Sequence, residues 1–177
     1  MNRYALLMWL GLAGCGVASA DVVETTPNSF VVETSVLVPA SPDAAYTSFT
    51  RSIGSWWDSA HTWSGDAQNL VLEPKAGTCY CEQLPNGGSV EHGRVIFAQP
   101  GKLLRLDASL GPFQDMAVKG VLTFRFKLDG DKTRVTVNYR VAGTFTMATP
   151  ALASGADGML AGQMRRFQSF IEGKPRN

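Results

Sequence analysis

The stretch DGMLAGQMRRFQSFIE, Asp157 to Glu172, decides the fold. Leu160, Met164, Phe167 and Ile171 recur at spacings of four, three and four, which is one stripe of an α-helix. Met159 and Phe170 widen the stripe, while Arg165, Arg166, Gln168 and Glu172 fall on the other side. Asp157 reads as the N-cap, and Gly173 followed by Pro175 stops the helix. Burying each large apolar side chain contributes about 1.5–3 kcal/mol, so this helix requires a partner surface. Almost everything upstream reads as β-strand, so the expectation is an α+β protein with one long helix held by one curved sheet.

Working back from that helix, Thr144 to Ala156 reads as a loop. Before it lies the clearest hairpin, Val121–Leu128 and Thr133–Val141 joined through Asp129-Gly130-Asp131-Lys132. Leu122, Phe124, Phe126 and Leu128 alternate with polar residues, as do Val135, Val137, Tyr139 and Val141. One buried and one wet face is the signature of an antiparallel sheet. Ser109 to Lys119, with Phe113 and Met116, reads as a loop with a helical turn over an apolar surface. Lys102 to Ala108 is a strand. Thr78–Leu84 and Ser89–Phe97 flank a hairpin turn at Pro85-Asn86-Gly87-Gly88. Leu70 to Glu73 is a short strand, preceded by a polar, irregular segment, Asp58 to Asn69, that carries His61 and Trp63. Phe30 to Val38 is the first strand. A helix follows, with Ser41 as N-cap and Pro42 at its first position, ending near Gly54 and Trp56-Trp57.

The chain has 177 residues, 45% hydrophobic and 18% charged, which suits a single domain. The expected boundaries are a signal peptide at 1–20, a short linker at 21–28, one domain at 29–173 and a tail at 174–177. Asn2, Arg3 and Tyr4 form a positive head, Ala5 to Ala13 an apolar run, and Ala18-Ser19-Ala20 a small-residue cleavage signal. Leu12-Ala13-Gly14-Cys15 resembles a lipobox, which would anchor the chain to a membrane through a lipid on Cys15. The preceding segment is short and a second cleavage site follows at once, so soluble export to the periplasm is the expectation. Without residues 1–20 the chain carries 15 basic and 15 acidic side chains, so no excess charge attracts nucleic acid.

Export implies an oxidising compartment. Of the three cysteines, Cys79 and Cys81 then remain. Side chains at i and i+2 of an extended strand stand parallel, so a disulfide between these two is not expected. If the hairpin turn is centred on Asn86-Gly87, Cys81 faces His92 and Cys79 faces Arg94. Glu82 and Glu91 then face each other and prefer solvent, which turns Cys79, Cys81, His92 and Arg94 toward the helix. Three readings of that cluster stay open: a mixed core wall, a polar patch orienting a ligand, and a zinc site. Catalytic motifs are thin. There is no Gly-x-Ser-x-Gly elbow and no phosphate-binding glycine loop, and His92 has no partner that sequence alone identifies.

The element order, with Trp56-Trp57, Cys81-Glu82, Gly87-Gly88, Gly93-Arg94-Val95, Leu103 to Leu106, Gly120 to Phe124 and Thr133-Arg134-Val135, resembles the SRPBCC or helix-grip superfamily. Bet v 1 allergens, START domains and polyketide cyclases belong to it. The chain looks most like the branch of the heat-shock-protein ATPase activator. His61 to Ala67 and Leu110 to Gln114 are similar to an exported bacterial subgroup. The resemblance implies a curved antiparallel sheet wrapped around the C-terminal helix with a cavity between them, and no metal or other cofactor. The expected function is binding of a small apolar or amphipathic ligand. A cyclase- or hydrolase-like enzyme and a chaperone-type accessory protein are the alternatives. The expected ligand-binding residues are Trp57, Trp63, Cys81, His92, Arg94, Phe113, Met116 and Gln163.

Overall fold

A computed structural model describes residues 20–175 of the chain. The export signal and Cys15 lie outside the described residues, apart from the backbone of Ala20. Eight strands form one open antiparallel sheet: β1 (Ala20–Thr26), β2 (Ser29–Val38), β3 (Leu70–Leu72), β4 (Cys79–Gln83), β5 (Ser89–Gln99), β6 (Leu103–Ala108), β7 (Ala117–Asp129) and β8 (Lys132–Thr144). Their order across the sheet is β1-β2-β8-β7-β6-β5-β4-β3. The helices are α1 (Pro42–Arg51), the single turn α2 (Ile53–Trp56) and α3 (Thr149–Ile171).

Residues 21–28, expected as a linker, mostly belong to β1, which pairs with β2 from Ala20↔Thr34 to Thr26↔Ser29. Alternation is weak in this strand, and pairing with β2 supplies the order that its own pattern lacks. The final helix also begins earlier than Asp157. It starts at Thr149 with Pro150 in its first turn, and Asp157 lies in its middle. Burial, with the charge of Asp21, pushes the Asp157 carboxyl up. The small residues of 149–158 lack a strong apolar period, but they let the helix lie close to β1 and β2, on which it mainly packs.

The expected stripe of α3 faces the core: Leu160, Met164 and Phe167 are almost wholly buried. Phe167 meets Phe49 of α1 and Trp56 of α2 with ring centroids 5.1 and 5.2 Å apart. Arg166 and Gln168, on the other side of the stripe, are half-buried. Arg166 Nε donates to the Trp56 carbonyl at 3.3 Å, and Gln168 Nε2 to the Leu37 carbonyl at 2.9 Å. α1 begins as read, with Ser41 Oγ accepting from the Ala44 N–H at 3.3 Å.

The β7–β8 ladder runs without interruption from Ala117↔Thr144 to Asp129↔Lys132. Val135, Val137, Tyr139 and Val141 are all fully buried, against Leu122, Phe124 and Phe126. Leu128 is the exception at 60% exposure, because the hairpin runs on past the core. Phe113 sits on a single turn at Gly111–Asp115 and packs on Phe30 and Tyr139, with centroids 5.6 and 6.1 Å apart.

Candidate functional site

The β4–β5 hairpin departs from the expected register, and the departure builds the site. Gln83 pairs with Ser89, Glu82 with Val90 and Cys81 with Glu91. The loop therefore has five residues centred on Asn86, where φ is +64°, and not an even loop centred on Asn86-Gly87. A bulge at His92 then restores the expected register, so that Tyr80 pairs with Gly93 and Cys79 with Arg94. Two consecutive residues of β5, His92 and Gly93, thus face inward. Glycine is required at the second, since a Cβ there would stand 2.7 Å from the Ala108 Cβ.

The faces of β4 are consequently inverted relative to expectation. Tyr80 and Glu82 point into the core, at 4% and 0% exposure, and Cys79 and Cys81 point outward. His92 does face inward, as expected, but Arg94 lies on the outer face. The cysteines are joined by a disulfide with a Cα–Cα separation of 5.3 Å. That falls inside the window for such bonds, because the strand departs from the flat, extended geometry beside the bulge. The sequence-based exclusion of this bond is therefore corrected. A Cys–His zinc cluster is not assembled either, since His92 and the sulfurs occupy opposite faces of the sheet. Cys79, Cys81 and Glu91 place their donor atoms within 4.8 Å of one another, with both sulfurs committed to the disulfide.

On the inner face, His92 Nε2 lies 2.9 Å from Glu82 Oε2. The same oxygen accepts the Trp63 N–H at 3.0 Å, and Glu82 Oε1 accepts the Ser64 N–H. Burial pushes the Glu82 carboxyl up, but the hydrogen bonds from Ser64, Trp63 and His92 outweigh it and hold the group below the usual carboxylate range. Tyr80 stacks at a tilt on His92 with centroids 5.1 Å apart. Burial, then the nearby Glu82 charge, lifts its hydroxyl well above the usual phenol range.

Residues 58–69 form a strap across this end of the molecule. Glu82 holds its middle to the sheet, and Gln163 holds its start to α3, accepting the Asp58 N–H at 2.9 Å. Trp57 Nε1 donates to the His61 carbonyl at 3.2 Å, and the Ala67 N–H donates to Ser59 Oγ at 3.0 Å. Trp63 is 57% exposed on the strap, whereas Trp57 is buried beneath it.

Beside Trp57, whose indole N–H is held by the strap, lies a void of about 10 Å³, lined by Phe49, Ile53, Trp57, Leu72, Tyr80, Leu106, Leu122 and Phe124. It is bounded by α1, α2 and the β3–β7 side of the sheet, and α3 contributes none of its lining. This void has room for one water, and stacked rings pack the interior around it: Phe49 alone meets Phe124, Phe126, Trp56 and Phe167. A separate, open hollow of about 420 Å³ lies along β5 and the start of the segment after β6, lined by Glu91, His92, Gly93, Arg94, Asp107, Ser109 and Gln114.

Of the residues expected at a binding site, Trp57, Trp63, His92 and Gln163 therefore converge on the strap. Phe113 and the half-buried Met116 lie at a distance from it, packed against the core beside Phe30. Glu82, which joins His92 to the strap, escaped sequence reasoning because the assumed register set it opposite Glu91, where two like charges prefer solvent, whereas it pairs with Val90.

An open antiparallel sheet gripping a long C-terminal helix, with a short helical pair between β2 and β3, is a helix-grip fold. Known structures bear this out. A protein from Mesorhizobium loti is similar at 15% identity and a TM-score of 0.60, over 82% of this chain and 98% of its own. One from Rhizobium leguminosarum is similar at 12% identity and 0.61, over 90% and 100%. CalU16 from Micromonospora echinospora is similar at 13% identity and 0.55, over 92% and 87%. No protein-family model matches the chain, and no curated protein matches it.

Proposed function

We propose that the protein binds a small, largely apolar or amphipathic molecule beneath the strap, and that it does so in the periplasm after removal of residues 1–20. The observation that carries the reading is the void itself. It is unfilled space walled by aromatic and aliphatic residues, one of which, Trp57, donates its indole N–H to the His61 carbonyl of the strap. Clefts for drug-sized ligands measure about 300–1,000 Å³, so uptake requires the strap to lift and α1–α2 to shift. Hydrogen bonds to backbone N–H groups suit such a closure. Water replaces them at a net cost of about 0.5–1.5 kcal/mol each, more where the acceptor is charged.

The test is a titration with 8-anilinonaphthalene-1-sulfonate, followed by dye emission and by tryptophan quenching. Saturable uptake of about one dye per chain is expected, abolished by Leu106→Trp, which overpacks the void at a cost of about 1–3 kcal/mol, with far-UV circular dichroism showing that the sheet is retained. No saturable uptake, or uptake indifferent to Leu106→Trp, overturns the reading. N-terminal sequencing that begins at Asp21 supports export. An intact Met1 in protein from the native host removes that part of the proposal, and a lipid on Cys15 would place the protein on a membrane.

One observation favours a second reading, a cyclase- or hydrolase-like enzyme. Glu82 orients His92, as a carboxylate orients a general base. Both Glu82 oxygens, however, also hold the strap, so the pair is accounted for as an anchor without chemistry.

A further inference from the structure

The outer face of β4–β5 carries a chemistry that binding beneath the strap does not use. Cys79 and Cys81 are joined across a single intervening residue, Tyr80. Both are partly exposed, at the rim of the open hollow that Glu91 and Arg94 help to line.

Three features bear on what this bond does. A disulfide restricts the unfolded chain more as its loop lengthens, so one closing over a single residue contributes least. β4 is in any case held by ladders on both sides, to β3 and to β5. The two sulfurs differ in cross-strand partner, Arg94 for Cys79 and Glu91 for Cys81, while Glu91 is itself ion-paired with Arg94 and its carboxylate lies within 4.8 Å of both sulfurs. A guanidinium favours a nearby thiolate, so Cys79, directly opposite Arg94, is the sulfur better placed to carry one. Finally, Tyr80 points inward onto His92 while both sulfurs point outward, so the bond opens without uncovering the core.

The geometry points to Cys79–Cys81 as a thiol–disulfide exchange site, reduced by a dithiol and reoxidised by a disulfide. One thiolate of the dithiol attacks Cys81 Sγ. The Cys79–Cys81 bond breaks, and Cys79 leaves as a thiolate opposite Arg94. The second thiolate of the dithiol then attacks its own sulfur in the mixed disulfide and expels Cys81. The dithiol ends as a disulfide, two electrons pass to the protein, and the two protons it gives up become available to the cysteine sulfurs. Arg94 acts as a positioning residue that stabilises the leaving thiolate.

The test uses the full chain, with thiols trapped by iodoacetamide and mapped peptide by peptide so that Cys15 is scored separately. Dithiothreitol should reduce the bond in the folded protein with circular dichroism unchanged, and oxidised glutathione should restore it. In the single-thiol variants, Cys79 of Cys81→Ser should alkylate at lower pH than Cys81 of Cys79→Ser, and Arg94→Ala should erase the difference. Exchange in Arg94→Ala should also be slower than in wild type, because a thiolate that is less stabilised leaves more slowly. A bond that resists dithiothreitol until urea unfolds the chain overturns the proposal. So do free thiols that oxidised glutathione cannot join, or two single-thiol variants with the same pH profile.

Discussion

The β7–β8 and β4–β5 hairpins belong to one sheet and solve the same problem of burial in opposite ways. β7–β8 pairs residue for residue along its whole length and presents a dry wall of Val, Leu, Phe and Tyr. β4–β5 is interrupted by a bulge, and its inner face includes a histidine–carboxylate hydrogen bond, a tyrosine and two strap attachments. Apart from Tyr139, whose hydroxyl donates to the Ala108 carbonyl at 3.0 Å and accepts the Leu110 N–H at 3.2 Å, the first hairpin makes contacts that any apolar side chain of fitting size could make. The second makes contacts that demand particular partners. A regular ladder thus stabilises the fold, while the irregular one orders residues 58–69 and closes the interior.

That contrast is broken most directly by removing one anchor from each hairpin. Glu82→Ala leaves a buried imidazole and two strap N–H groups without their acceptor, and should cost about 3–5 kcal/mol in urea melts. Phe124→Ala should cost about the same, through a cavity. The two should differ in where the damage appears. Hydrogen exchange at Trp63 and Ser64 should accelerate selectively in Glu82→Ala, whereas Phe124→Ala should raise exchange across the sheet. A Glu82→Ala loss below about 1 kcal/mol would show that the strap does not depend on this carboxylate.

Acid sharpens the comparison further. The folded-state pKa of Glu82 lies below its ordinary value, so the stability it contributes is present above the unfolded pKa, about 4.3, and is lost as pH falls through the folded value. The wild-type urea midpoint should therefore fall more steeply below about pH 4.3 than that of Glu82→Gln. Parallel curves would mean that the carboxylate is not selectively stabilised in its ionised form.

The smallest effect belongs on the outer face. Glu91 pairs with Arg94 there, with both side chains about half exposed, and Glu91→Ala should change stability by less than about 1 kcal/mol, the more weakly the higher the salt. A larger loss would mean that the outer face of β4–β5 also carries part of the fold.

Sequence reasoning served the two hairpins unequally for a physical reason. Alternation reports which face is buried only while the period of two is unbroken, as from Leu122 to Phe126 and from Val135 to Val141. A bulge adds one residue with no mark in composition, and here it reversed the faces of Cys79 to Glu82. The disulfide followed from the same blind spot, since the i, i+2 argument holds for a straight strand and fails beside a bend. Gln163 stood inside an apolar arc and was legible as unusual, but its partner, the Asp58 N–H, lies 105 positions away.

By itself the sequence determined the class: the stripe from Leu160 to Ile171, the β7–β8 alternation, the Ser41-Pro42 helix start and the turn glycines each act within a few residues. They specify a sheet that grips a helix without reference to the rest of the chain. Only the tertiary structure decided that Glu82 faces inward, that Cys79 and Cys81 face outward and bond, that α3 begins eight residues before Asp157, and that the void beside Trp57 measures about 10 Å³. Each of these depends on a partner distant in the chain or on one unpaired residue in a ladder. Such energies belong to the assembled core, where a buried carboxylate is tolerated because a histidine and two backbone N–H groups converge on it.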